Sequence, residues 1–204
     1  MKTTSAFFAT AALGCVLLIG SAARAQTNAG LLGQRYTGLS IFTEHLRDSS
    51  ISNGLGASVG LNVPVTSFLD FTASGSSESF SDYSIRDQRT VAGLTAFRDF
   101  NNFKASADAS IGGTWQSSKV NGISYDANDG LYVLGAGLEA PVTDTSAIFG
   151  RIAVNRYFKN DRGHYWTYTA GADHWFNQKF GAVGSVTFFD SSSVTFALGV
   201  TVRF

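Results

Sequence analysis

The sequence predicts an all-β fold, a single closed antiparallel up-and-down barrel of about ten strands, with eight as the alternative count. Three observations predict it: segments of about ten residues alternate apolar with small or polar side chains, the breaks between them are rich in Asn, Asp, Ser, Gly or Pro, and those breaks alternate short with long. One domain is expected, because single barrels fill a length of 204 residues without splitting. Formal net charge is zero, so no strong field exists to recruit nucleic acid, and nucleic acid is not an expected partner. Only 15% of residues are charged, against roughly 25% in typical globular chains, while 22 glycines and 17 phenylalanines stand out.

The chain opens on a secretory address. Lys2 gives a basic start, Ala6 to Gly20 form an apolar run, and Ser21-Ala22-Ala23-Arg24-Ala25 ends in the small-x-small pattern of a signal-peptidase site. The run is shorter than the roughly 20 apolar residues of a spanning helix. Residues 1–25 are therefore expected to be a cleaved signal, with the barrel domain occupying residues 26–204. A lipoprotein reading of Cys15 is weaker, because cleavage there would leave Val16-Leu17-Leu18-Ile19 at the mature start. Losing the signal removes the single cysteine, so disulfide and thiol chemistry are excluded from the mature protein.

The strands are expected near 36–44, 54–63, 68–77, 89–98, 103–115, 131–140, 146–157, 165–175, 180–189 and 193–204. The clearest sets Leu55, Ala57, Val59, Leu61 and Val63 on one face against Gly54, Gly56, Ser58, Gly60 and Asn62. The last sets Val194, Phe196, Leu198, Val200, Val202 and Phe204 against Ser193, Thr195, Ala197, Gly199, Thr201 and Arg203. Between them, Ala105, Ala107, Ala109 and Ile111 oppose Lys104, Ser106, Asp108 and Ser110. Near 89–98 the facing is divided, Val91 and Phe97 arguing for one side and Leu94 for the other. Short breaks are expected at 64–67, 99–102, 141–145 and 177–179, and longer loops at 45–53, 78–88, 116–130 and 158–164, with a terse one at 190–192. That alternation suits tight periplasmic turns and free outward loops, with both termini on the periplasmic side.

Three features point the apolar face outward, into lipid. A soluble barrel would carry roughly 25 to 35% charged residues on its surface, whereas the polar face here is mostly Gly, Ser, Thr and Ala. Aromatics gather at strand ends: Phe68, Phe71, Phe97, Phe100, Phe103, Phe149, Trp175, Phe176 and Phe180 by the short turns, and Phe42, Trp115, Tyr132, Tyr157, Phe158, Tyr165, Trp166, Phe188 and Phe189 by the long loops. Such girdles suit the two headgroup boundaries. Strands of about ten residues tilted by about 40° span an apolar band near 25 Å, and in lipid every backbone amide must be paired, so the sheet must close.

From the alternating last strand Val194 to Phe204 and its terminal aromatic, the chain resembles the small bacterial outer-membrane β-barrels, of the OmpA-like transmembrane and opacity-type porin kind. The resemblance covers essentially the whole mature chain. It implies a place in the outer membrane, outer-membrane lipid as surroundings, a monomeric barrel, and Phe204 as the signal read by the β-barrel assembly machinery. Many members have eight strands, where about ten are read here.

With apolar residues outward, the luminal charges are expected to be Asp70, Arg98, Lys104, Asp108, Glu139, Arg151, Asp173 and Arg203, with the uncharged Asn155 on the same inward face. Their signs nearly balance. Opposite charges across a narrow lumen would pair and plug it; the other reading has them line a narrow conductive path. Catalysis has little support: Glu44-His45 places its two residues on opposite faces of a strand, Asp161 to His164 finds no matching serine, and His174 beside Trp175 reads as an interfacial polar aromatic. No cofactor is expected, and no metal, because the three histidines are scattered. Asp126, Asn128 and Asp129 read as ordinary turn formers. The expected role is a non-enzymatic one in the envelope or at the cell surface, with the loop partner unknown. The alternatives are a narrow passive channel for small polar solutes and, more remotely, an outer-membrane enzyme or a soluble periplasmic barrel with an apolar ligand.

Overall fold

The computed structural model describes residues 29–46, 53–80, 84–120, 123–159, 163–190 and 193–204; the expected signal lies outside them. Ten strands follow in chain order: β1 (Tyr36–Leu46), β2 (Gly54–Thr66), β3 (Leu69–Phe80), β4 (Ile85–Asp99), β5 (Lys104–Val120), β6 (Ile123–Pro141), β7 (Ser146–Tyr157), β8 (His164–Trp175), β9 (Phe180–Phe189) and β10 (Ser193–Arg203). Each pairs antiparallel with its neighbours in sequence, and β1 pairs with β10 from Tyr36 opposite Arg203 to Leu46 opposite Ser193, so the barrel is closed. Closure leaves no wall strand with an unpaired edge. The short connections and both ends of the strand series lie at one mouth, here the turn end, and the longer connections at the other, the loop end.

Strand parity divides the side chains as the alternation predicts. Leu39, Ile41, Leu55, Val59, Ile111, Leu134, Leu138, Ile148, Leu198 and Val200 stand exposed on the outer wall, Ile41 at 64% and Leu198 at 65%. Asp70, Glu139, Asp173, Asn155 and Thr201 are buried inside. This is the inverse of a water-soluble fold, in which apolar groups fill the interior. Large apolar residues do enter the lumen on one side: Leu131, Val133 and Ala153 are buried together, with Val91 and Tyr157 against them.

The aromatic girdles are thinner than expected. Phe68, Phe71, Phe100, Phe103, Phe176 and Phe180 are exposed by the turns, and Trp115, Phe158, Trp166 and Phe188 by the loops. Phe42, Phe149, Tyr157, Tyr165 and Phe189 instead line the lumen, and Phe97 and Trp175 also point inward, packing against the segment before β1. Position near a strand end placed them at the right height, but parity decided the face.

Three expected breaks are largely strand, the first of them 78–88, where β3 runs to Phe80 and β4 starts at Ile85. Within the span 116–130, residues 116–120 and 123–130 are strand: β5 and β6 continue as a ribbon in which Ser117 faces Asp126 and Val120 faces Ile123. The part beyond Ser117 and Asp126 has no partner in β4 or β7, so it stands beyond the wall. Both its faces meet solvent, which explains why it lacks apolar alternation. At 64–67, β2 runs through Pro64 to Thr66 with a register irregularity between the two, where a residue without an N–H costs the ladder least.

Candidate functional site

The N-terminal residues just before β1 turn into the barrel and cross its turn end. Ala29 and Gln34 are buried there. Glu139 on β6 accepts hydrogen bonds from the backbone N–H of Leu31 at 2.7 Å and of Leu32 at 3.2 Å. Asp70 on β3 accepts from the N–H of Gly33 at 2.8 Å. Asn62 on β2 donates to the Gln34 carbonyl at 2.7 Å and to Asp70 at 3.0 Å, Lys104 on β5 donates to the Leu32 carbonyl at 2.8 Å, and the Trp175 indole on β8 donates to the Gly30 carbonyl at 3.3 Å. Five strands thus hold one stretch of peptide across the mouth. Gly30 and Gly33 have φ of +97° and +78°, the left-handed region that lets successive amides converge on a carboxylate. A Cβ at Gly30 would collide with the Glu139 carboxylate.

Above this floor lies a cavity of about 660 Å³. At mid-height Arg151 on β7 and Asp108 on β5 reach over β6 along one side of it, joined in two-pronged fashion at 2.9 and 2.5 Å. Gly135 between them leaves the space, since a Cβ there would press on both. Nearer the loop end Arg89 on β4 donates to Asn155 at 2.7 Å and to the Tyr165 hydroxyl at 3.0 Å. Glu44, Glu78 and Asp87 line the same region.

The expected luminal charges separate into three groups. Asp108 and Arg151 pair along one wall, on strands separated only by β6. Asp70, Glu139 and Lys104 serve the floor, the last two 3.9 Å apart; Asp173 is buried, within electrostatic range of Arg203, whose guanidinium lies 3.6 Å over the Trp175 ring. Arg98 does not enter the lumen. It shares parity with the exposed Leu94, pairs with Ala105, and sits on the outer side over the Phe100 ring at 5.3 Å. Val91 and Phe97 took the inner face of β4, and Arg98, one residue on, had to take the outer.

The turn end is therefore closed by peptide on carboxylates, and neither of the two ion pairs among the described residues spans the lumen: Lys104 and Glu139 face each other on adjacent strands, and Asp108 and Arg151 flank β6. Ala29 to Arg35, Asn62 and Arg89 were not anticipated as site residues. The sequence signals for them are slight: two glycines flanking Leu31-Leu32, one amide on an otherwise Gly and Ser face, and an arginine two residues from Val91.

The histidines are dispersed. His45 is exposed on the outer side with its ring 2.6 Å from Asn53, while adjacent Glu44 points inward. His164 is exposed, and Asp161 lies outside the described residues. His174 is exposed, hydrogen-bonded to Ser146 at 2.8 Å and edge-on to Phe176. Among the described residues no three His, Cys, Asp or Glu side chains gather as metal ligands. Asp126, Asn128 and Asp129 lie on β6 rather than in a turn, and Lys159 bonds to the Asp129 carboxylate and the Asn128 carbonyl.

Neither a protein-family model nor a curated protein matches the chain. Solved structures do. The translocator domain of the autotransporter NalP from Neisseria meningitidis is 13% identical, over 98% of this chain and 95% of that one, at a TM-score of 0.47. The N-terminal β-barrel domain of Pseudomonas aeruginosa OprF is 11% identical, over 84% and 98%, at 0.47. The β-domain of the Bordetella autotransporter Brka is 9% identical, over 84% of this chain and 99% of that one, at a TM-score of 0.55, and with it the chain shares a barrel fold.

Proposed function

We propose that this chain is an integral protein of the bacterial outer membrane whose barrel is held shut by its own N-terminal segment, and that its role is non-enzymatic, exercised in the envelope or at the cell surface. The outer wall supports the membrane part. Each Leu, Ile or Phe left in water forgoes about 1.5 to 3 kcal/mol of burial, and a continuous belt of them around a polar interior suits hydrocarbon. The turn end is then periplasmic and the β5–β6 ribbon extracellular. Lipid is the surrounding partner, the barrel is monomeric, and Phe204, exposed on the outer face at the end of β10, is where the assembly machinery would engage it.

The observation that carries the closed-barrel reading is the floor: Glu139 and Asp70 each accept amides of the segment that blocks the periplasmic mouth. The ribbon offers the surface on which an outside partner would act, with exposed Tyr125, Ser124 and Lys119 beyond the wall. Recording the refolded mature chain in planar bilayers tests this. A closed barrel gives no discrete openings; regular openings in the unaltered protein would replace this reading with a narrow passive channel. The observation favouring that second reading is the roomy polar cavity, which ends at a floor one peptide thick.

A further inference from the structure

A second cavity, about 630 Å³, lies under the floor at the turn end, between the segment Leu32 to Arg35 and the turns that follow β2, β4 and β8. Five cationic side chains line it, Arg35, Arg98, Lys104, Lys179 and Arg203, against one carboxylate side chain, Asp99. In a chain with only 15 basic residues this is a pronounced concentration. Three of the five have partners: Lys104 with the Leu32 carbonyl and Glu139, Arg203 with the Trp175 ring, and Arg98 with the Phe100 ring. Arg35, Arg98 and Lys179 have no carboxylate within ion-pair distance among the described residues. Like charges drawn together from three separate elements repel one another unless an anion sits among them.

The apolar part of the lining narrows the choice of anion. Phe68 and Phe204 border the cavity, and both are exposed at the level of the turn-end girdle. An occupant that fits is anionic at one end and apolar at the other. We propose that the cup binds the phosphate-bearing headgroup of an anionic lipid of the periplasmic leaflet, with Arg35, Arg98 and Lys179 on the phosphate and the acyl chains running along Phe68 and Phe204. This rests on the outer-membrane reading, which puts the cup at headgroup depth.

The test uses the full mature chain refolded in neutral detergent and supplied with phosphatidylglycerol or phosphatidylcholine, bound lipid being read by native mass spectrometry. Phosphatidylglycerol should be retained in preference. Each of Arg35→Gln, Arg98→Gln and Lys179→Gln should weaken it about five-fold, and the triple variant about a hundred-fold, since each basic side chain at a charged membrane surface contributes by roughly that factor. Lys119→Gln with Lys159→Gln, at the far end, should change nothing. Heat-dependent gel mobility shows that each variant is a folded barrel. Equal retention by the triple variant overturns the proposal, as does displacement of the lipid by millimolar inorganic phosphate, which would mark a site for the free anion. A chain that stayed soluble and monomeric without detergent would instead sink the membrane reading itself, before any lipid was added.

Discussion

Glu139→Gln is the sharpest perturbation of the floor, because it keeps the side chain's shape and removes its charge. The carboxylate accepts from Leu31 at 2.7 Å and Leu32 at 3.2 Å, and Lys104 lies 3.9 Å away. Hydrogen bonds to a charged acceptor are each worth about 1.5 to 3 kcal/mol. The amide keeps one accepting oxygen and turns an NH₂ toward donors, so a net loss of about 2 kcal/mol is expected, or about a thirty-fold rise in the displaced population. Gly33 on Asp70, Asn62 on Gln34 and Trp175 on Gly30 still hold the segment, so the variant should open intermittently rather than stay open. Adding Asp70→Asn should make openings long-lived. Single-channel recording reads this directly, with Asp108→Asn as the control, since that carboxylate pairs with Arg151 away from the floor. Silence from a folded double variant would refute the floor as a barrier. Equal activity in the control would show that any luminal charge loss leaks, which also defeats the argument.

Gly30→Ala and Gly33→Ala should leak as well, because positive φ disfavours a Cβ by about 1 kcal/mol and the added methyl meets Glu139 in one case and the Phe97 ring in the other; ion leak from loaded vesicles checks it. Replacing residues 118–125 by an Asn-Gly turn joining Ser117 to Asp126 should leave the barrel intact, because those two already face each other; heat-dependent mobility and the urea midpoint should match the parent. Arg89→Gln should lower unfolding stability in urea by about 2 kcal/mol, since it removes a charged donor from Asn155 and Tyr165.

Facing was legible where large apolar residues alternate with small polar ones, as on β2, β5 and β10. It was not legible on β4. There the outward residues include small Thr90, Ala92 and Ala96, while Val91 and Phe97 turn inward, so size and polarity carry opposite signals and Arg98 was placed on the wrong side. The ribbon of β5 and β6 carries no strand signal in the sequence because strands with solvent on both faces need no period. The floor was invisible for a different reason. Its meaning comes from contacts such as Leu31 with Glu139, 108 residues apart, and no local pattern encodes a partner at that distance.

A barrel that works in the outer membrane requires its outer wall to face lipid, and arginine scanning tests that one residue at a time. Val59 and Leu198 are exposed on the outer wall, whereas neighbouring Ser58 and Ala197 line the internal cavity. Arg at Val59 or Leu198 should cost about 2 to 4 kcal/mol near the bilayer midplane, because the charge must enter hydrocarbon or draw water in. Arg at Ser58 or Ala197 meets a polar lumen and should be penalised only for size. Measured as the folded fraction after refolding into lipid vesicles, the account predicts failure at Val59 and Leu198 and assembly at Ser58 and Ala197. The reverse order would contradict it and return the chain to a soluble barrel with its apolar face covered by something other than lipid.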